Sequence, residues 1–237
     1  MKKQKNRKKT ENMKHGKIKF DQYIVRGKHR DFQVIVFPRK KYMWAYYEGF
    51  DGAYEIDGDP EAYRLMKYAM AILAVDPNKI IYLPIRNQAL GTFCWDNCYD
   101  AVLYRPELQL RRSEWVHLRR QLNCSHRVEN YVLRYEPQKL YDEWNTVEGS
   151  SQKYNYWKRE KQEVKTMQDD TIFMALLKET CLLYHSRIVE VMKDGVPEYP
   201  SNPAGELGWI LSPRILKETE EKYMEHKRKS SACISFL

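Results

Sequence analysis

The sequence predicts an α+β fold, an antiparallel sheet meander with packed helices followed by a mainly helical C-terminal lobe, on three observations. Runs of β-branched and aromatic residues over 18–26, 32–37 and 42–48 are separated by Gly27-Lys28-His29 and Pro38-Arg39-Lys40, the punctuation of short strands joined by turns. A helix-start signal follows at Asp59-Pro60-Glu61: Asp caps free N–H groups, Pro suits the first helical position and Glu favours the positive end of the dipole. Beyond Gly149-Ser150-Ser151 the apolar residues recur at helical spacing. The chain therefore divides into a basic disordered tail (1–17), an α+β domain (18–150) and a helical lobe (151–237).

Taken in order, residues 1–17 offer only Met13 for burial among mutually repelling cations, so they read as a solvated tail. Three strands follow. A short fourth, 53–56, fits between Asp51-Gly52 and Asp57-Gly58, because glycine enters tight turns without strain. In the helix opened by Pro60, Leu65, Met66, Ala69, Ile72 and Leu73 form one apolar stripe, and Asp76-Pro77-Asn78 ends it. Residues 80–85 return as a buried strand, and 101–104 form another. Trp115, Leu118 and Leu122 recur at i, i+3 and i+7, which predicts a helix over 113–122. Pro137 opens a helix with Leu140, Trp144 and Val147 inward, ended near Gly149. The charged stretch 153–165 reads as helical, as does 171–193, capped by Asp170 and striped by Phe173, Leu176, Leu177, Tyr184, Ile188 and Val191. A proline-bearing loop (Pro197, Pro200, Pro203) precedes a last helix from Pro213 to about residue 229.

Composition excludes several classes. The longest apolar stretch is interrupted by Asp76, Pro77, Asn78 and Lys79, too soon to span a bilayer. The N-terminal lysines are not followed by an apolar segment, so no secretory signal is read, and Cys233 is fifth from the end where a prenylation box needs the fourth. Five cysteines without compact spacing suit reduced thiols, and the expected localisation is cytoplasmic. The net charge of +9 is concentrated at one end: residues 1–19 carry nine Lys or Arg and one Glu, leaving 32 basic and 31 acidic side chains elsewhere. Any polyanion affinity of the body must come from local patches.

Signatures of catalysis are missing or incomplete. The chain has no Gly-rich loop ending in Gly-Lys-Ser/Thr, no Gly-x-Ser-x-Gly elbow and no His-Glu-x-x-His helix. His29-Arg30-Asp31 copies the start of a kinase catalytic loop, but Val36 stands where the metal-binding Asn belongs. Cys94, Cys98, Cys124 and His126, with His117 nearby, offer soft ligands at a spacing looser than structural zinc knuckles use. The acidic run Glu48, Asp51, Glu55, Asp57, Asp59, Glu61 does not follow a calcium-loop spacing and is better explained by turns and a helix cap. Glu163-Val164-Lys165 with Asp142 upstream is a formal match to a metal-dependent nuclease set, but it falls in a segment that reads as helical. No cofactor and no metal site is expected.

Two patches carry the functional expectation. Arg39, Lys40 and Lys41 precede Tyr42, Trp44 and Tyr46, which alternate onto one face of a strand; cations beside a row of rings suit single-stranded nucleic acid, but the row reads first as core under the Pro60 helix, because the opposite face (Met43, Ala45, Tyr47) is also largely apolar and one face must be buried. The second patch is arginine without lysine: Arg105, Arg111, Arg112, Arg119, Arg120, Arg127 and Arg134, of which Arg112, Arg119 and Arg120 lie on the 113–122 helix or at its start. Guanidinium groups favour bidentate contacts to phosphate or carboxylate. The function expected is non-enzymatic binding of nucleic acid or a nucleoprotein complex through the tail and these patches. The alternative is a phage- or plasmid-encoded inhibitor or adaptor that binds an acidic protein and blocks a host nucleic-acid-processing complex, since Tyr, Trp and Arg also dominate protein hot spots. An enzyme of unrecognised type stands third.

Overall fold

The first strand, β1 (Gly16–Arg26), is long enough to serve two neighbours. In the computed structural model, which describes residues 16–27, 29–38, 43–48, 53–58, 60–85, 99–122, 129–150, 155–156, 163–168 and 170–194, it forms an antiparallel hairpin with β2 (Asp31–Val36) from Asp21↔Val36 to Arg26↔Asp31. Gly27 closes the turn. Its N–H donates to the Arg30 carbonyl at 2.9 Å, and a Cβ there would stand 2.4 Å from that same oxygen, so no other residue fits without a shift.

The expected meander stops at this hairpin. β3 (Met43–Glu48) and β4 (Ala53–Gly58) pair antiparallel, as a separate two-stranded sheet. α1 (Pro60–Val75) then carries the chain back, and β5 (Lys79–Leu83) joins β2 in parallel, the pairing that a helical crossover permits. β6 (Asp100–Tyr104) lies antiparallel to β5. After a 3-10 turn (Pro106–Leu108) and α2 (Arg112–Leu122), β7 (Glu129–Tyr135) returns to pair antiparallel with β1, and α3 (Pro137–Glu148) follows it.

The C-terminal third departs most from the sequence reading. Helix was expected over 153–165 and 171–193; Asn155 and Tyr156 are helical, but β8 (Val164–Gln168) and β9 (Thr171–Ala175) form a hairpin, and the second of the two helices begins only at Lys178, as α4 (Lys178–Asp194). Asp170 turns the hairpin at φ 56°, a left-handed position that Asp tolerates. β9 pairs in parallel with β6, so residues 163–194 complete the main sheet and do not form a mainly helical lobe. Every residue of β9 is buried. A short run buried on both faces has no period by which strand and helix can be told apart, so Phe173 fits a helical stripe by spacing alone and is in fact a strand residue.

The result is an α+β arrangement around a mixed sheet of seven strands in the order β7-β1-β2-β5-β6-β9-β8. On one face lie α1, α3 and α4, with α4 packed between the other two. The predicted stripe of α1 is buried there, as are Leu140, Trp144 and Val147 of α3, which ends where the Gly149 N–H reaches the Asn145 carbonyl. On the other face α2 sets Trp115 and Leu118 against Val25, Val34, Ile80 and Phe173. Burying side chains of this size stabilises by roughly 1.5–3 kcal/mol each. Residues 1–15, the proline-bearing loop and the expected helix from Pro213 lie outside the described residues.

Candidate nucleic-acid interface

Strand pairing leaves one end of the sheet two strands wide. β1 bonds β2 only from Asp21 onward and bonds β7 from Gly16 to Gln22. Over residues 16–19, therefore, β1 and β7 form a ribbon with no third strand beside β1 among the described residues; at Phe20 the chain leaving β2 is still alongside, with Phe37 stacked on it. Alternation sorts its side chains: Ile18, Phe20, Tyr131, Leu133 and Tyr135 turn toward the helices, while Lys17, Lys19, Val132 and Arg134 are exposed on the face that carries α2 farther along. The cluster under α2 takes in Tyr23 and Val25 of β1 but none of these four. Lys17 stands directly opposite Arg134, and Lys19 opposite Val132, which is 41% exposed. Asp21, half-buried opposite Asn130, bounds the cationic stretch. In sequence, the seven basic side chains of residues 1–15 run straight into this ribbon at Gly16.

The root of the ribbon is pinned by Lys79. Its buried ammonium donates to Gln22 Oε1 at 2.9 Å and to Gln33 Oε1, pairs with Asp76 at 3.4 Å and lies 4.9 Å from the centre of the Tyr131 ring. Burial, then the Asp76 charge, pushes the Tyr131 phenol up to about 12. Farther along β7, the Tyr135 hydroxyl and His185 Nε2 of α4 share a hydrogen bond of 2.9 Å inside the core. Burial, and secondarily the charge of Lys67, pushes that imidazole down to about 3, while burial pushes the Tyr135 phenol up. Neutral phenol and neutral imidazole make this a structural bond.

The arginines expected to act together have separate tasks. Arg119 is turned inward: its guanidinium pairs with Asp100 at 3.2 Å and donates to Thr171 Oγ1 at 3.2 Å, and the Tyr82 hydroxyl donates to the same Asp100 oxygen at 2.9 Å. This anchors α2 to β5, β6 and β9. Arg105 is buried, donating to the Leu73 carbonyl and to Glu107. Arg111 begins the helix, its backbone N–H donating to Glu114 Oε2 at 2.9 Å in half of a capping box, and its side chain is exposed. Arg120 is exposed on α2. The backbone of Arg112 lies in the first turn of α2, and its side chain is outside the described residues, as is Arg127.

Arg39, Lys40, Lys41 and Tyr42 also lie outside the described residues. Trp44 and Tyr46 hold register positions in β3 opposite Asp57 and Glu55. The residues of β3 found buried in the core are Met43 and Ala45, the alternate positions. Cys94, Cys98, Cys124 and His126 fall outside the description too, and among the described residues no group of three or more His, Cys, Asp or Glu is placed to hold a metal ion. Glu163, from the nuclease-like triplet, accepts the Leu177 N–H at 2.7 Å and the Thr180 hydroxyl, so it caps the start of α4; Asp142 accepts from Gln138 on the exposed side of α3. Lys165 stands in β8, a strand where a helix was expected.

Sequence reasoning missed Lys17, Lys19, Val132 and Arg134 as a unit. The signal was there, in the period-2 alternation of Gly16-Lys17-Ile18-Lys19-Phe20 and of Asn130-Tyr131-Val132-Leu133-Arg134-Tyr135. Comparison with protein-family models, with curated proteins and with solved structures returns no match. Among the described residues no helix is long and apolar enough to cross a membrane.

Proposed function

We propose that this chain binds nucleic acid without transforming it, the ribbon of β1 and β7 setting the ligand in place and the basic N-terminal stretch adding sequence-independent attraction. One observation carries the reading: Lys17 and Arg134 directly opposite each other on an exposed sheet face, with Lys19 next along the strand. Like charges in that position oppose each other and weaken the pairing, unless an anion lies across them. A polyanion neutralises all of these groups together, and the counterions it releases drive association.

The test is a salt titration of oligonucleotide binding. Each phosphate contact on duplex contributes about 0.9 to the slope of log affinity against log salt. A Lys17→Ala, Lys19→Ala, Arg134→Ala variant should lose affinity and flatten the slope by about 0.9 for each of the three that lies against a phosphate. An unaltered slope and affinity in a variant that still folds removes the ribbon from the interface.

A further inference from the structure

We infer that the ligand of the β1–β7 ribbon is double-helical DNA, entered through its major groove; this rests on the nucleic-acid reading above and adds the class of ligand. The first ground is shape. Two strands about 4.8 Å apart make a ribbon roughly 10 Å across, which the major groove of B-form DNA, about 12 Å wide, admits and which a broader sheet does not fit. Residues 16–19 of β1, bonded to β7 alone among the described strands, are such a ribbon. At about 3.4 Å per residue it is about 14 Å long, enough for about four base pairs.

The second ground is side-chain chemistry. The exposed face presents two ammonium groups, one guanidinium and one aliphatic side chain, from Lys17, Lys19, Arg134 and Val132. Arg and Lys bond the O6 and N7 acceptors of guanine, an aliphatic group meets the thymine methyl, and these edges are displayed together only in the major groove. The third ground excludes the competitor. Single strands are held by stacking bases on exposed rings, but the rings of the ribbon, Phe20, Tyr131 and Tyr135, pack toward the helices. Phe20 stacks on Phe37 at 5.0 Å, Tyr135 meets Tyr68 edge-on at 5.1 Å, and Lys79 covers Tyr131. Duplex RNA is excluded by its deep, narrow major groove, which side chains cannot read.

Fluorescence anisotropy with the full-length protein, at one salt concentration, would compare a 16-base-pair DNA duplex, the RNA duplex of the same sequence and the single DNA strand. The basic N-terminal stretch attracts every polyanion, so it largely cancels in the ratios. Duplex DNA should bind at least tenfold more tightly than either competitor, and Lys17→Ala with Arg134→Ala should reduce that ratio toward one. Dimethyl sulfate probing should give protection at guanine N7. Equal or tighter binding of the single strand or of duplex RNA, or protection confined to adenine N3 in the minor groove, overturns the inference while leaving nucleic-acid binding intact. Failure of all three ligands to bind overturns both readings.

Discussion

Acidification should destabilise this protein through one side chain, His185. The imidazole is fully buried on α4 between Tyr135 of β7 and the Lys67 side of α1, and burial with the Lys67 charge pushes it down to about 3. In the unfolded chain a histidine titrates near 6.5, so below that pH the unfolded state binds a proton that the folded state does not accept. Stability is therefore greatest above about pH 6.5 and falls as pH drops toward about 3, where the folded imidazole is itself protonated. At about pH 5 the unfolded state is favoured by RT ln(1 + 10^1.5), about 2 kcal/mol, relative to pH 8. Urea unfolding of the native protein and of a His185→Gln variant, at about pH 8, 6.5 and 5, isolates this contribution from that of every other titrating group. The variant should be less stable at pH 8, having disturbed a buried hydrogen bond, yet lose about 2 kcal/mol less on going to pH 5. Parallel pH profiles for the two proteins would refute a neutral, buried His185.

Other expectations follow from the same contacts. Arg119→Ala removes the charged partner of the buried Asp100 carboxylate and leaves it the Tyr82 hydroxyl, so thermal unfolding should report a loss of about 2 kcal/mol, whereas Arg120→Ala should change stability by under about 0.5 kcal/mol. Equal effects of the two substitutions would contradict the inward placement of Arg119. Burial pushes the Cys181 thiol up, so it should resist a thiol reagent in the native protein and react only in denaturant, and fast native modification mapped to Cys181 by mass spectrometry would count against its position. Deleting residues 1–15 should flatten the salt dependence of oligonucleotide binding while keeping the preference for duplex DNA, as anisotropy would measure.

How much was readable in advance depended on whether the signal was local. The start of α1 at Pro60, the stripe of α2 and the inward triad Leu140, Trp144, Val147 of α3 are all periodic over a few residues, and each is found as the spacing implies. Strand partners are not local. Nothing within residues 79–83 says that they lie parallel to β2 and beside it, because that neighbour is chosen by the path of α1 across the sheet. The proposed interface was hidden for a related reason. Counting arginines grouped Arg134 with the α2 set and assigned Lys17 to a tail, while the register that sets these two residues opposite each other joins segments more than a hundred residues apart.

The arginines illustrate why composition alone could not choose the site. Arg119 and Arg120 are adjacent, and a helix turns about 100° between them, which is enough to point one at Asp100 and the other at solvent. For Arg119 the guanidinium balances a carboxylate that has been withdrawn from water, a bond whose loss is felt by the fold. Arg120, Arg134, Lys17 and Lys19 keep their solvation, so a ligand meets little competition for them from the protein itself. An eleven-residue β1 between two shorter neighbours in offset register leaves its first residues paired on one side among the described residues, and the exposed positions of that overhang are cationic or aliphatic. Lengthening β2 to cover residues 16–19 would close the overhang into ordinary sheet; the side chains would remain, but the two-strand width on which the proposed groove binding rests would not.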